Sequence, residues 1–340
     1  MNKDLIPLLS CPSCHGELDW TINECNGDHV EEAEVLCEDC HATYLVHEGI
    51  GGFLTPDLPR HDLWEEAESG LASYLREHPE IERKLLETPL EKLPPADQFF
   101  RAMVLEERGD YVQARAAADL ARVGLYTPEY LACSKSQYDY VLKCLSNVDG
   151  PIVDLASGRC YLVERIASKL NRPIVATDFS PHVLRRDRRF FQFLGLDERV
   201  SLLAFDARRT PFKDGVVETM TTNLGLPNIE EPGRLLHELR RVIHGELLAI
   251  MHFYPEDDKA NRAAVEKLGL ASFMFKDSTL RLFSEAGFEV KLENVQQGRA
   301  LPTPTSDLLE GAGIDALPVA ETEITWCTLV ARCKKGGPEK

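Results

Sequence analysis

The spacing of apolar residues changes character near residue 151. Between 57 and 150, "LWEEAESGLASYLREH", "IERKLLETPLEKL", "FFRAMVLEERGDYVQARAAADLARVG" and "EYLACSKSQYDYVLKCLSNV" repeat apolar positions every three or four residues. That period belongs to amphipathic helices. Breaks fall at Pro56, Pro59, Pro79, Pro89, Pro94-Pro95 and "LYTPEY". Two roles fit these helices: a cap over the next domain, or a bridge leading to it. From 151 onward, short apolar runs at 151–155, 173–177, 199–204, 216–222, 246–253, 287–295 and 324–333 alternate with amphipathic segments. Strand and helix alternating in this way predict an α/β fold, a doubly wound, mostly parallel sheet of seven strands covered on both faces. Such sheets bind ligands at the carboxyl ends of their strands, where strand order reverses.

A chain of 340 residues with 44% apolar content supports a large core and two or three structural units. It has no run of 18 apolar residues, and "MNKDLIPLLS" is too interrupted for a signal peptide, so the sequence reads as soluble and cytoplasmic with no membrane partner. The net charge of −18 is concentrated at the front: residues 1–60 hold 12 acids and 2 bases, whereas residues 151–340 hold 27 and 26. An acidic front repels phosphate, which counts against a general nucleic-acid clamp there.

Four of the ten cysteines form two pairs, Cys11/Cys14 in "CPSC" and Cys37/Cys40 in "CEDC". Four thiolates at this spacing suit a closed, tetrahedral structural zinc site better than disulfides. His15, His29, His41 and Cys25 lie nearby in sequence, but four thiolates already complete the site. Zinc supplies folding free energy of about 10 kcal/mol to a module with little core of its own. With the Leu-Leu before the first pair, Tyr44-Leu45-Val46 after the second, and the closing Gly49-Ile50 and Phe53-Leu54, residues 1–56 resemble the zinc ribbons found beside or fused to S-adenosylmethionine-dependent methyltransferases. The acidity of this module predicts a basic contact surface, either on another protein or on the chain's own arginine-rich helix at 185–189.

The loop after the first predicted strand of the second half, "DLASGRC", is built of small residues, as close backbone approach to a ligand requires. Asp178 ends the second strand in "IVATDFS", where a carboxylate can accept both hydroxyls of a ribose. Asp206 follows the third strand in "LLAFDARRTPF". This series resembles the class I S-adenosylmethionine-dependent methyltransferases, whose fold is Rossmann-like. "RTPFKDG", "LLHELRRVIHGELLAIMHF" and "STLRLFSEAGFEV" extend the likeness over about 180 residues. The resemblance implies S-adenosylmethionine as cofactor. It assigns the donor to Asp154, Ala156, Ser157, Gly158, Asp178, Phe179, Asp206, Ala207 and Asn223. Ala156 and Cys160 stand where the family commonly has glycine, which narrows the loop. A dehydrogenase is the structural competitor, but a full G-x-G-x-x-G is absent.

Methyl transfer from a sulfonium needs alignment and desolvation more than a general base. Asn223, His252 and Tyr254, at strand ends, are the candidate acceptor-pocket and catalytic residues. "NLGLPN" lacks the Pro-Pro-aromatic signature of enzymes that methylate base amino groups. The chain is therefore expected to comprise a zinc ribbon (1–56), a helical cap or linker (57–150) and a methyltransferase domain (151–335). It is expected to act on a small molecule or a protein side chain. Two alternatives remain: a ribosomal-RNA guanine N-methyltransferase, which "ADLARVGLYTPEY" and "RRDRR" would suit but the acidic front disfavours, and a non-catalytic scaffold.

Overall fold

The computed structural model describes residues 1–58 and 63–334; the break expected at Pro59 and the domain end expected at 335 lie outside the described residues. All seven strands expected from the second half are present: β5 (Ile152–Asp154), β6 (Ile174–Asp178), β7 (Val200–Ala204), β8 (Val217–Asn223), β9 (Ile243–Phe253), β10 (Phe288–Ala300) and β11 (Thr322–Cys333). Every residue of β5, β6 and β7 is buried, as strands covered on both faces require. The order is β7-β6-β5-β8-β9-β11-β10, parallel except for β11, which runs antiparallel to both neighbours. Strand order reverses between β5 and β8, which places the ligand crevice at that point. Between the strands run α6 (Tyr161–Lys169), α7 (Pro181–Leu194), α8 (Pro232–Val242) and α11 (Lys276–Glu285), among shorter helices.

The sheet has eleven strands, four more than the second half provides. These are the amino-terminal strands β1 (Leu18–Asn26), β2 (His29–Cys37), β3 (Thr43–His47) and β4 (Ile50–Gly52). They form an antiparallel meander whose last member lies parallel to β7, with Ile50, Gly51 and Gly52 opposite Leu202, Leu203 and Ala204. Without β4, the ladder groups of β7 would form an open edge. Gly51 makes the junction possible, since a Cβ there would lie 2.7 Å from Leu203 Cδ2. The Phe53 amide donates to Ala204 O at 2.7 Å, and Leu5, Leu9, Val35 and Phe53 share one buried cluster with Val153, Leu203 and Phe212. The expected basic contact is found within the chain: Arg188 Nη2 lies 2.5 Å from Glu31 Oε2, joining α7 to the meander.

The middle of the chain is helical: α1 (Leu63–Glu77), α2 (Pro79–Glu87), α3 (Pro95–Glu107), α4 (Tyr111–Leu125) and α5 (Pro128–Leu145). The stretch 99–124, read as one helix, is two helices. Gly109 turns the chain with φ +76° and Asp110 caps α4 by accepting the Gln113 amide at 3.2 Å. Leu85, Phe100 and Val104 pack on Leu309 in the segment between β10 and β11. Arg159, in the loop after β5, is buried against Glu106 of α3, and Arg115 of α4 pairs with Glu164 of α6 at 2.6 Å. Among the described residues, no helix is long and apolar enough to cross a membrane.

Candidate active site

The small-residue loop after β5 is shaped by hydrogen bonds to its neighbouring strands. Ser157 Oγ accepts the Thr177 amide at 3.1 Å and donates to Asp154 O at 3.0 Å, while the Ser157 amide donates to Thr177 O at 2.7 Å. Ala156, Gly158 and Cys160 all take left-handed φ, at 52°, 52° and 54°. This is the region glycine enters freely and other residues enter at a cost of about 1–2 kcal/mol. The family's glycines therefore have a conformational reason at positions 156 and 160, and this chain bears the strain of departing from them. The Cys160 side chain turns into the core and donates to Asp187 Oδ2 at 3.3 Å.

A cleft of about 500 Å³ opens at the carboxyl ends of β5, β6 and β7. Ala156, Asp178, Phe179, Asp206 and Ala207 line it together, joined by Arg208, Asn228 and Ile229. Asp178 Oδ2 accepts the Gly158 amide and Oδ1 the Ser180 amide, both at 3.0 Å. Asp206 is held by Arg208: Oδ1 accepts the Arg208 amide and Nε at 2.9 Å, and Oδ2 accepts Nη2 at 2.7 Å. Arg208 also reaches Glu231 at 2.6 Å, tying the loop after β8 to that after β7. Two strand-end acids, a close backbone approach and apolar walls from Phe205 and Ile229 give this cleft the chemistry to hold S-adenosylmethionine. Arg208 escaped the sequence reading, although its place two residues after Asp206 in "DARR" was its signal.

Asp154, Ser157, Gly158 and Asn223 are not among the described residues lining the cleft. Ser157 and Gly158 shape it through the bonds above. Asp154 lies buried behind the loop, accepting the Thr221 hydroxyl at 2.5 Å, and burial pushes its carboxyl up to about 7. Asn223 donates to the Tyr138 hydroxyl at 3.2 Å, facing α5.

A second cavity, of about 290 Å³, lies at the ends of β9 and β10 under α5. His252 and Tyr254 meet there with Tyr126, Tyr130 and Leu317. Burial pulls the His252 imidazole down to about 4 and raises the Tyr254 hydroxyl. At neutral pH both are uncharged. The two tyrosines of "LYTPEY" lie in a helix break and in the segment that suits the RNA alternative, and neither reading ties them to a strand end more than a hundred residues later.

The four cysteine sulfurs of Cys11, Cys14, Cys37 and Cys40 lie within 4.8 Å of one another. Two matching knuckles bring them together. The His15 amide donates to Cys11 O and the His41 amide to Cys37 O, with both histidines at left-handed φ (62° and 58°). His15, His29, His41 and Cys25 stay outside this group. Four convergent sulfurs fit a tetrahedral zinc. Three of the four arginines in the run are engaged within the chain: Arg186 is buried against Asp187, Arg188 pairs with Glu31 and Arg189 approaches Glu107 at 3.8 Å, while Arg185 is exposed.

Residues 153–248 match a family described as a methyltransferase domain. The chain is 33% identical over 131 residues to a phosphatidylethanolamine N-methyltransferase of Cereibacter sphaeroides, covering 36% of this chain and 62% of that one. It is 37% identical over 92 residues to a demethylmenaquinone methyltransferase of Clavibacter sepedonicus, covering 27% and 36%. The chain thus spans less than two thirds of the length of either relative. A solved geranyl diphosphate C-methyltransferase from Streptomyces coelicolor A3(2) is 14% identical, with 58% of this chain and 78% of that one covered and a TM-score of 0.43. Residues 153–248 thus match a methyltransferase domain, and they follow an amino-terminal four-cysteine module.

Proposed function

We propose that the chain transfers a methyl group from S-adenosylmethionine to a small molecule, and that the four cysteines hold a structural zinc. The observation carrying this reading is the shared opening of Ala156, Asp178 and Asp206 on one cleft beside the strand reversal, with a separate aromatic cavity at the ends of the neighbouring strands. Asp178 is the ribose acceptor, Asp206 and Ala207 bound the adenine, and the loop at 155–158 receives the methionine part. When bound, the donor supplies an activated sulfonium methyl. The protein's part is to align it with the acceptor and to keep water away, which the buried neutral residues of the second cavity do. His252, Tyr254 and Asn223 are assigned to the acceptor side, and none of them carries a charge at neutral pH to attract water.

The zinc ribbon stabilises the edge of the sheet, and residues 57–150 serve as a cap through the Glu106 and Tyr130 contacts. The RNA reading loses support because Arg186 and Arg188, two of the arginines expected to touch phosphate, are engaged within the chain. Calorimetric titration with S-adenosylmethionine and S-adenosylhomocysteine tests the reading, with micromolar dissociation constants expected. Absence of binding to either would leave the scaffold alternative.

A further inference from the structure

We propose that the cavity beside His252 receives an amine or ammonium group, so that the methyl acceptor is a small alkylamine; this rests on the methyltransferase reading above. Aromatic rings gather there from three elements. Tyr126 and Tyr130 stack at 4.8 Å with planes 11° apart, Tyr130 meets Trp326 edge-on at 4.9 Å, and His252 stands edge-on to Tyr254 at 5.7 Å and to Trp326 at 5.2 Å. Tyr126, Tyr130, His252 and Tyr254 line the cavity, and a ring face turned to it attracts a cation through its quadrupole, more strongly once water is excluded.

Charge selects in the same direction. No lysine or arginine is among the described residues lining the cavity. At its edge the Tyr126 hydroxyl donates to Asp315 Oδ2 at 2.8 Å, which sets a carboxylate beside the aromatic stack. An anionic acceptor would face that carboxylate with no cationic side chain among the described lining residues. A cation would gain from both.

The hydrogen-bonding groups also point to a polar occupant. His252 Nδ1, on a residue lining the cavity, is buried with no partner among the described residues. Buried polar atoms left unpaired are costly, and a ligand or water that pairs them recovers that cost. Because burial lowers the pKa of His252, its imidazole stays neutral and does not repel a positive charge.

Position connects this cavity to the donor cleft. Ile250, two residues before His252, pairs with Asn223 at the end of β8, the strand that flanks β5 across the reversal. In the reaction the free-amine lone pair forms the N–C bond as the methyl C–S bond breaks. The sulfur keeps the bonding pair and leaves as the neutral thioether of S-adenosylhomocysteine, and the new ammonium releases its proton to water.

The test compares choline with 3,3-dimethylbutan-1-ol, its uncharged isostere, by calorimetry on the full chain, with S-adenosylhomocysteine titrated into the same samples. Choline should bind at least about tenfold more tightly than the isostere. Tyr130→Leu should weaken choline by about fivefold or more, and Tyr130→Phe, which keeps the ring face, by less than about twofold. Asp315→Asn, an exposed position that should leave folding intact, should weaken choline by about threefold. Equal affinity for the isostere, or choline binding indifferent to both Tyr130→Leu and Asp315→Asn, would overturn the assignment. If S-adenosylhomocysteine binds and choline shows no preference, the amine inference alone fails. If choline is preferred and S-adenosylhomocysteine does not bind, the methyltransferase reading fails and the cation site stands.

Discussion

The Asp178 carboxylate accepts the Gly158 backbone amide at 3.0 Å, so the end of one strand and the loop after its neighbour hold each other in place. The same carboxylate lines the cleft as the expected ribose acceptor. Asp178→Ala removes both roles. Each charge-assisted hydrogen bond is worth about 1.5–3 kcal/mol, so S-adenosylhomocysteine affinity should fall by at least about tenfold. Unchanged affinity in calorimetry would place the ribose elsewhere.

Ala156 and Gly225 touch across the strand reversal. A Cβ on Gly225 would sit 2.9 Å from Ala156 Cβ and 2.6 Å from Thr222 Oγ1, although Gly225 itself has an ordinary φ of −79°. Gly225→Ala should therefore cost about 1–3 kcal/mol through collision. Ala156→Gly should stabilise the fold by about 1 kcal/mol by relieving a left-handed alanine. Because each change affects the same contact, the double variant should be more stable than the sum by about 0.5–1 kcal/mol. Strict additivity in urea denaturation would show that the two loops do not press on each other.

Burial holds the Asp154 carboxyl up at about 7. Between about pH 4 and 7 the folded chain keeps a proton that the unfolded chain has released. The stability tied to that proton is intact below about pH 4 and is lost as pH rises through about 7. Asp154→Asn keeps an oxygen for the Thr221 hydroxyl and has no such loss. Its melting temperature relative to the parent should improve by at least about 4 °C between pH 5 and pH 8. A difference that does not change with pH would mean that Asp154 titrates normally.

Replacing Cys37 and Cys40 with serine should lower bound zinc from about one per chain to none, measured by metal analysis. The ladder between β4 and β7 and the shared cluster around Phe53 argue that the meander and the rest of the sheet melt together. One transition at lower temperature is expected in calorimetric scans. A separate early transition with the main one unmoved would mark an independent module. Below the melt, S-adenosylhomocysteine should still bind, because no described residue lining the donor cleft comes from residues 1–58.

Much of the fold was legible because its signals are local. Continuous apolar runs bounded by turn residues located the seven strands to within a few residues, and the acids at the ends of the second and third strands announced the cleft. Arg208 left only the weak signal of its place after Asp206, and Tyr126 and Tyr130 left none that pointed to a shared cavity. An arginine beside an acid and tyrosines in a helix break carry the same pattern whether they face solvent or a site.

By itself the sequence determined the α/β alternation, the four converging cysteines, and the placement of Asp178 and Asp206 at strand ends, because each depends on residue spacing along a single element or loop. The tertiary structure alone decided that Asp154 lies behind the cleft, that β4 continues the sheet through β7, and that Tyr126, Tyr130, His252 and Tyr254 enclose one cavity. Those relationships join segments far apart in the chain, and they arise from packing and edge pairing, which leave no periodic trace in the order of residues.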